Sequence, residues 1–143
     1  MSLFVVDASV AAKWFLPRDR ETLVDEAFSL LDKYGKKEVL FIVPDLFWVE
    51  LANVIWKAVR LGRFSKASAE TALASPVERD FPTVSTLALL GSAFQIAVAF
   101  DRTVYDSVYV ALAVHSKAQL ITADERLANS LAAHFPVKWL GSV

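Results

Sequence analysis

Asp7, Glu50, Asp106 and Asp124 are four acids set among apolar residues, and together they have the makings of a metal site. Asp7 closes the run Leu3-Phe4-Val5-Val6, and Asp106 opens Val108-Tyr109-Val110-Ala111-Leu112. Asp124 follows Leu120-Ile121-Thr122-Ala123, and Glu50 interrupts a helical run from Leu46 to Trp56 whose only other polar member is Asn53. A carboxylate in apolar surroundings costs free energy unless a cation compensates it. Four of them brought together would repel and raise one another's pKa values. A divalent ion held by oxygen ligands, Mg²⁺ or Mn²⁺, accounts for all four at once.

Each acid alone has a plainer reading. Asp7 is a good N-cap for a helix beginning at Ala8, and Glu50 aligns with Asn53, Lys57 and Arg60 as the solvated stripe of an amphipathic helix. Asp106 lies three residues after Thr103, as in a capping box, and Asp124 repeats the pattern with Thr122 as cap and Glu125 three later. Capping leaves Glu50 unexplained, and it gives no reason for the acids to share one sheet edge.

The elements that must position them alternate. Strands are expected at Leu3 to Val6, Val39 to Val43, weakly near Thr83 to Ser85, at Gln119 to Thr122 and at Pro136 to Leu140. Between them the spacing predicts helices over Ala8 to Leu16, Glu21 to Lys33, Pro44-Asp45 to Leu61, Ser65 to Ala74 before Pro76, Thr86 to Phe100, Thr103 to His115 and Asp124 to Ala133. That order implies an α/β domain whose mainly parallel sheet of four to five strands carries helices on both faces. Ligands bind such sheets at the carboxyl ends of the strands, where Asp7 and Asp124 fall. Asp106 and Glu50 join them only if their helices point inward there.

Bulk composition narrows the alternatives. At 143 residues the chain is expected to form a single domain over 1–143, and its 55% hydrophobic content suits a sheet buried on both faces. Cysteine is absent and the two histidines, His115 and His134, lie in different segments, which excludes thiolate sites and disfavours a histidine zinc site. Residues 81–100 carry no charge, but Pro82, Thr83, Ser85, Thr86, Ser92 and Gln95 make them a poor membrane span, so a cytoplasmic chain without membrane association is expected. The net charge of −1 gives no global attraction to nucleic acid. Lys57, Arg60, Arg63 and Lys66 form a local basic patch instead. No phosphate-binding glycine loop and no Ser-His-Asp grouping is evident.

The chain resembles the PIN-domain ribonucleases, in particular the VapC-type toxins of prokaryotic toxin and antitoxin pairs. The resemblance rests on Val5-Val6-Asp7-Ala8-Ser9, Glu50-Leu51-Ala52-Asn53, Tyr105 to Ala113 and Leu120 to Leu127, four motifs in order across nearly the whole chain. It implies a three-layer α/β/α fold and a Mg²⁺- or Mn²⁺-dependent endoribonuclease. Asp7, Glu50, Asp106 and Asp124 match the family's acidic quartet. Ser9 and Thr122 match small hydroxyl positions that orient a carboxylate or water, and Asn53 would help to position Glu50.

On this reading Asp7, Asp106 and Asp124 hold metal, and Glu50 ligates it or orients the attacking water. Lys57, Arg60, Arg63 and Lys66 would hold flanking RNA phosphates unless they are only a surface stripe. The implied partners are an RNA substrate and a small antitoxin covering the acidic groove, and the high apolar content also fits a homodimer with a hydrophobic face. The rivals are an RNA-processing PIN nuclease, a flap-type DNA nuclease and a non-catalytic metal- or partner-binding module. A receiver-like phosphoacceptor domain lacks its paired acids and lysine here.

Overall fold

Five short apolar segments pair into one parallel sheet because each of the first four is followed by helix long enough to carry the chain back across a sheet face. The computed structural model describes residues 1–79 and 81–143, with side chains described outside 76–80. The strands are β1 (Ser2–Val6), β2 (Val39–Pro44), β3 (Thr83–Val84), β4 (Gln119–Thr122) and β5 (Val137–Trp139). Their order is β3-β2-β1-β4-β5, and every pairing is parallel. The helices are α1 (Ala8–Ala11), α2 (Val24–Gly35), α3 (Leu46–Arg60), α4 (Lys66–Arg79), α5 (Thr86–Phe100), α6 (Val104–Ser116) and α7 (Glu125–Leu131).

The strand order fixes the layers. From β1 the chain steps to β2 and then β3 in one direction, and from β3 it returns past β1 to β4 and β5 in the other. Right-handed crossovers therefore put α1 to α4 on one face and α5 to α7 on the opposite face. Val5 and Val6 of β1 are wholly buried, as a sheet covered on both sides requires. Beside β2 an aromatic cluster fills the interior: Tyr34 stacks on Phe41 at 4.6 Å, and Phe81 meets Phe41 edge-on at 5.5 Å.

Three element boundaries depart from the sequence expectation by three residues or more. The helix expected from Ala8 to Leu16 stays α-helical only to Ala11, then tightens into a 3₁₀ turn over Ala12–Trp14. This turn buries Lys13, which pairs with Glu21 at 3.2 Å, and it lets the Trp14 Nε1–H donate to the Ala27 carbonyl at 2.9 Å. The next helix starts at Val24 rather than Glu21, because Leu23 before it takes a left-handed backbone with φ 56°. Helix α4 passes Pro76 and ends at Arg79. A proline removes one rung of the helical ladder and need not end it. Among the described residues no single helix is long and apolar enough to cross a membrane.

Candidate active site

The sheet reverses its direction of growth at β1, whose neighbours are β2 on one side and β4 on the other. A crevice opens at such a switch point, outside the carboxyl ends of the two strands from which the chain departs in opposite directions. Asp7 directly follows β1 and Asp124 stands two residues beyond β4, so they flank it. Glu50 reaches the same crevice from α3 and Asp106 from the first turn of α6. All four line one cavity of about 550 Å³, together with Asn53 and Tyr109.

The local capping readings are correct as far as they go. Asp7 caps α1, its Oδ1 accepting the Ser9 N–H at 2.7 Å, and Thr103 Oγ1 caps α6 by accepting the Asp106 N–H at 3.1 Å. At α7 the assignment changes. Asp124 itself is the cap, accepting the Leu127 N–H at 3.1 Å, while Thr122 Oγ1 accepts the Asp124 N–H at 3.1 Å. Capping thus fixes where these carboxylates stand, and the cavity they share is a separate property.

Ser9 ties two of the acids into one unit. Its hydroxyl donates to Asp7 Oδ1 and accepts the Ala123 N–H at 3.2 Å, joining the end of β1 to the loop that carries Asp124. Thr122, wholly buried beside Asp7, lowers that carboxyl's pKa against the effect of burial, and its Oγ1 accepts the Asp124 N–H. The Ser9 hydroxyl holds the carboxylate in place. Glu50 is held otherwise: its Oε1 accepts the Tyr109 hydroxyl at 2.5 Å, whereas Asn53 lines the cavity wall without bonding to it. Tyr109, 4% exposed, was not expected at the site. Its position three residues after Asp106 puts the two on one face of α6 and was the available signal.

Burial pushes the Asp7 carboxyl above its usual range, against the pull of Ser9 and Thr122, and the charge of Asp106 adds to the rise. Glu50 is also raised, first by burial and then by Asp7 and Asp106, with the Tyr109 hydrogen bond opposing. Asp106 is raised by burial and by Asp124, and lowered by Arg102. Desolvation by burial, with the Glu50 carboxylate beside it, pushes the Tyr109 hydroxyl far up, so it stays a donor. Negative charge has been concentrated here beyond what the neighbouring cations neutralise.

The donor set is all carboxylate oxygen, which suits a hard divalent cation. Among the described residues no three His, Cys, Asp or Glu side chains converge tightly enough to clamp an ion by themselves. The residues fit an ion that keeps part of its water shell and takes only one or two carboxylates directly, the usual habit of Mg²⁺.

The four cations expected to bind RNA separate. Lys57 and Arg63 line a second cavity next to the acidic one. Arg60 lies over the Trp56 ring at 5.5 Å, and Lys66 stands 3.9 Å from Glu70.

An acidic quartet at the switch point of a parallel α/β sheet is the architecture of a PIN domain, and the PIN domain family model matches residues 4–130. The chain belongs to that family. It is 33% identical over 131 residues to Ribonuclease VapC3 of Pyrobaculum aerophilum, an alignment covering 90% of this chain and 95% of that protein. The fold is shared with PAE2754, also from Pyrobaculum aerophilum, at a TM-score of 0.73 and 24% identity over 99% of this chain and 91% of the other. A toxin-antitoxin complex from Klebsiella pneumoniae shares it too, with a TM-score of 0.61, 16% identity and 96% of both chains covered.

Proposed function

We propose that this chain is a metal-dependent endoribonuclease of the VapC kind, the toxin of a toxin and antitoxin pair, hydrolysing RNA phosphodiester bonds. The observation that carries the proposal is the convergence of Asp7, Glu50, Asp106 and Asp124, from four separate elements, on one cavity at the sheet's switch point. Kinship with a curated ribonuclease at 33% identity supports RNA as the substrate class.

Asp7, Asp106 and Asp124 would hold Mg²⁺ or Mn²⁺, in part through water. When bound, the ion supplies charge neutralisation at the phosphate and a more acidic water. Glu50 orients the attacking water and accepts its proton, and Tyr109 keeps the accepting oxygen aimed by donating to its partner oxygen. Ser9 holds the Asp7 carboxylate so that it need not reorganise as charge develops, and Thr122 holds the Asp124 backbone beside it. Asn53, exposed on the cavity wall, is placed to donate to a substrate oxygen.

Residues 1–143 act as one nuclease domain in the cytoplasm. A small antitoxin closes the acidic cavity, a reading supported by the fold shared with the Klebsiella complex. The exposed apolar residues Leu87, Phe94 and Val98 of α5 support a homodimer. The test is cleavage of matched RNA and single-stranded DNA oligomers in Mg²⁺ or EDTA. Metal-dependent cutting of RNA alone supports the proposal, cutting of DNA alone transfers the chemistry to a DNA nuclease, and no cutting by a folded chain overturns it.

A further inference from the structure

An acidic cavity repels the polyanion it is meant to cut, and a net charge of −1 offers no compensating field. Binding must then come from cations placed just beyond the acids. Among the described residues, one such place is a cavity beside the acidic one. This second cavity, of about 200 Å³, shares the wall residue Val54 with the acidic one and is lined by Arg20, Lys57 and Arg63. Its apolar surfaces come from Leu16, Val54 and Leu61.

Resting on the ribonuclease reading, we propose that this cavity is the subsite for a nucleotide next to the scissile bond. Arg20, Lys57 and Arg63 take its phosphate, and the apolar wall takes its base or ribose. Lys57 lies seven residues after Glu50 on α3, about 10 Å along the helix at 1.5 Å per residue. The two cavities are therefore neighbours along one helix face. The volume is below the roughly 300 Å³ of a pocket enclosing a whole small molecule, and it suits one unit of a longer strand.

Two acids share the lining. Glu21 is bound by Lys13 at 3.2 Å, so its charge is already met, and Asp19 opposes an incoming phosphate. Arg20 reaches the cavity from the 3₁₀ turn over Arg18–Arg20, on the connection that the Lys13–Glu21 pair pins to the core. Arg60, over Trp56, and Lys66, beside Glu70, lie outside the lining. The basic stripe thus contributes two residues to the subsite and the distant Arg20 completes it.

The experiment is fluorescence anisotropy of a labelled single-stranded RNA in EDTA across a salt series, with circular dichroism to check folding. The three cations are exposed, so their loss should leave the fold intact. Arg20→Ala/Lys57→Ala/Arg63→Ala should weaken binding about tenfold and flatten the log Kd against log salt slope by about 0.7, the contribution of the one phosphate that the three cations share on a single strand. Arg60→Ala/Lys66→Ala should change that slope by less than about 0.5. Asp19→Asn should tighten binding. A triple variant that keeps the native slope overturns the subsite, as does a native chain that binds no RNA at any salt. Cleavage of the same RNA in Mg²⁺ separates the two claims. Native cleavage with an unaltered slope sinks the subsite alone, and no cleavage sinks the nuclease reading beneath it.

Discussion

Replacing Asp7 by Asn should stabilise the metal-free protein while abolishing its activity. The carboxylate is 9% exposed, and burial holds its pKa above the usual range even though Ser9 and Thr122 pull it down. Keeping it ionised at neutral pH therefore costs folding free energy, about 1.4 kcal/mol for each unit of rise. Asparagine retains an oxygen for the Ser9 N–H and Oγ–H and removes the charge. As an N-cap it equals aspartate. The hydrogen bonds already offset part of the burial, so the net gain should be on the order of 1–2 kcal/mol, below the full penalty for a buried, uncompensated charge. For a chain of this size that raises Tm by about 3–7 °C. Thermal unfolding followed by circular dichroism in EDTA and in excess Mg²⁺ reads both halves of the claim. The native chain should gain about 2.7 kcal/mol at a hundredfold excess of metal over its Kd, and the variant far less. Equal Tm values for the two chains in EDTA, with equal responses to Mg²⁺, would reduce Asp7 to a helix cap with no part in holding metal.

Further outcomes follow from the same geometry. Tyr109→Phe removes the donor that holds Glu50 charged, so the Glu50 pKa rises further and the acidic limb of the pH–rate profile should move to higher pH, with kcat down roughly tenfold by the scale of general-base effects. Burial raises Asp7 and Asp106 above 3.8 and Glu50 above 4.5, so the folded chain takes up protons more readily than the unfolded one. The stability these groups contribute is complete below those ordinary values and is lost as pH rises through the raised ones. The metal-free Tm should accordingly climb as pH falls from neutrality toward about 5, and Mg²⁺ should abolish the climb. Gly141→Ala would drive a methyl to 2.4 Å from the Trp139 ring and should cost about 1–3 kcal/mol in denaturant unfolding. Phe94→Glu on the exposed face of α5 should convert a dimer to a monomer in sedimentation, with the fold unchanged.

What the sequence revealed and what it hid have separate physical causes. The four acids were legible because charge inside apolar runs is costly wherever it occurs, and the strand and helix order was legible from hydrophobic period and turn residues. Helix α5 and strand β4 fell on the expected residues because Ser85, Asp101 and Ala118 bound segments of unambiguous pattern. Tyr109 was hidden because an aromatic residue between Val108 and Val110 reads as core, and its partner Glu50 is 59 residues away. The link from Ser9 to Ala123 spans 114 residues and leaves no trace in local pattern. The basic stripe showed which cations were near one another without showing that Arg20 would arrive from another connection. Long-range packing decides the Tyr109–Glu50 and Ser9–Ala123 links and the arrival of Arg20, whereas the lie of Arg60 over Trp56 is an i,i+4 contact that helical spacing does carry.

Whether the acidic cavity cuts RNA with a divalent metal, as proposed, is decided by comparing the native chain with Asp106→Asn on one RNA oligomer and its DNA counterpart. RNA cleavage is expected in Mg²⁺ or Mn²⁺, with none in EDTA, none by the folded variant and none of the DNA. Cleavage that survives Asp106→Asn, or a folded native chain that binds metal and RNA yet leaves the RNA intact, would contradict the proposal.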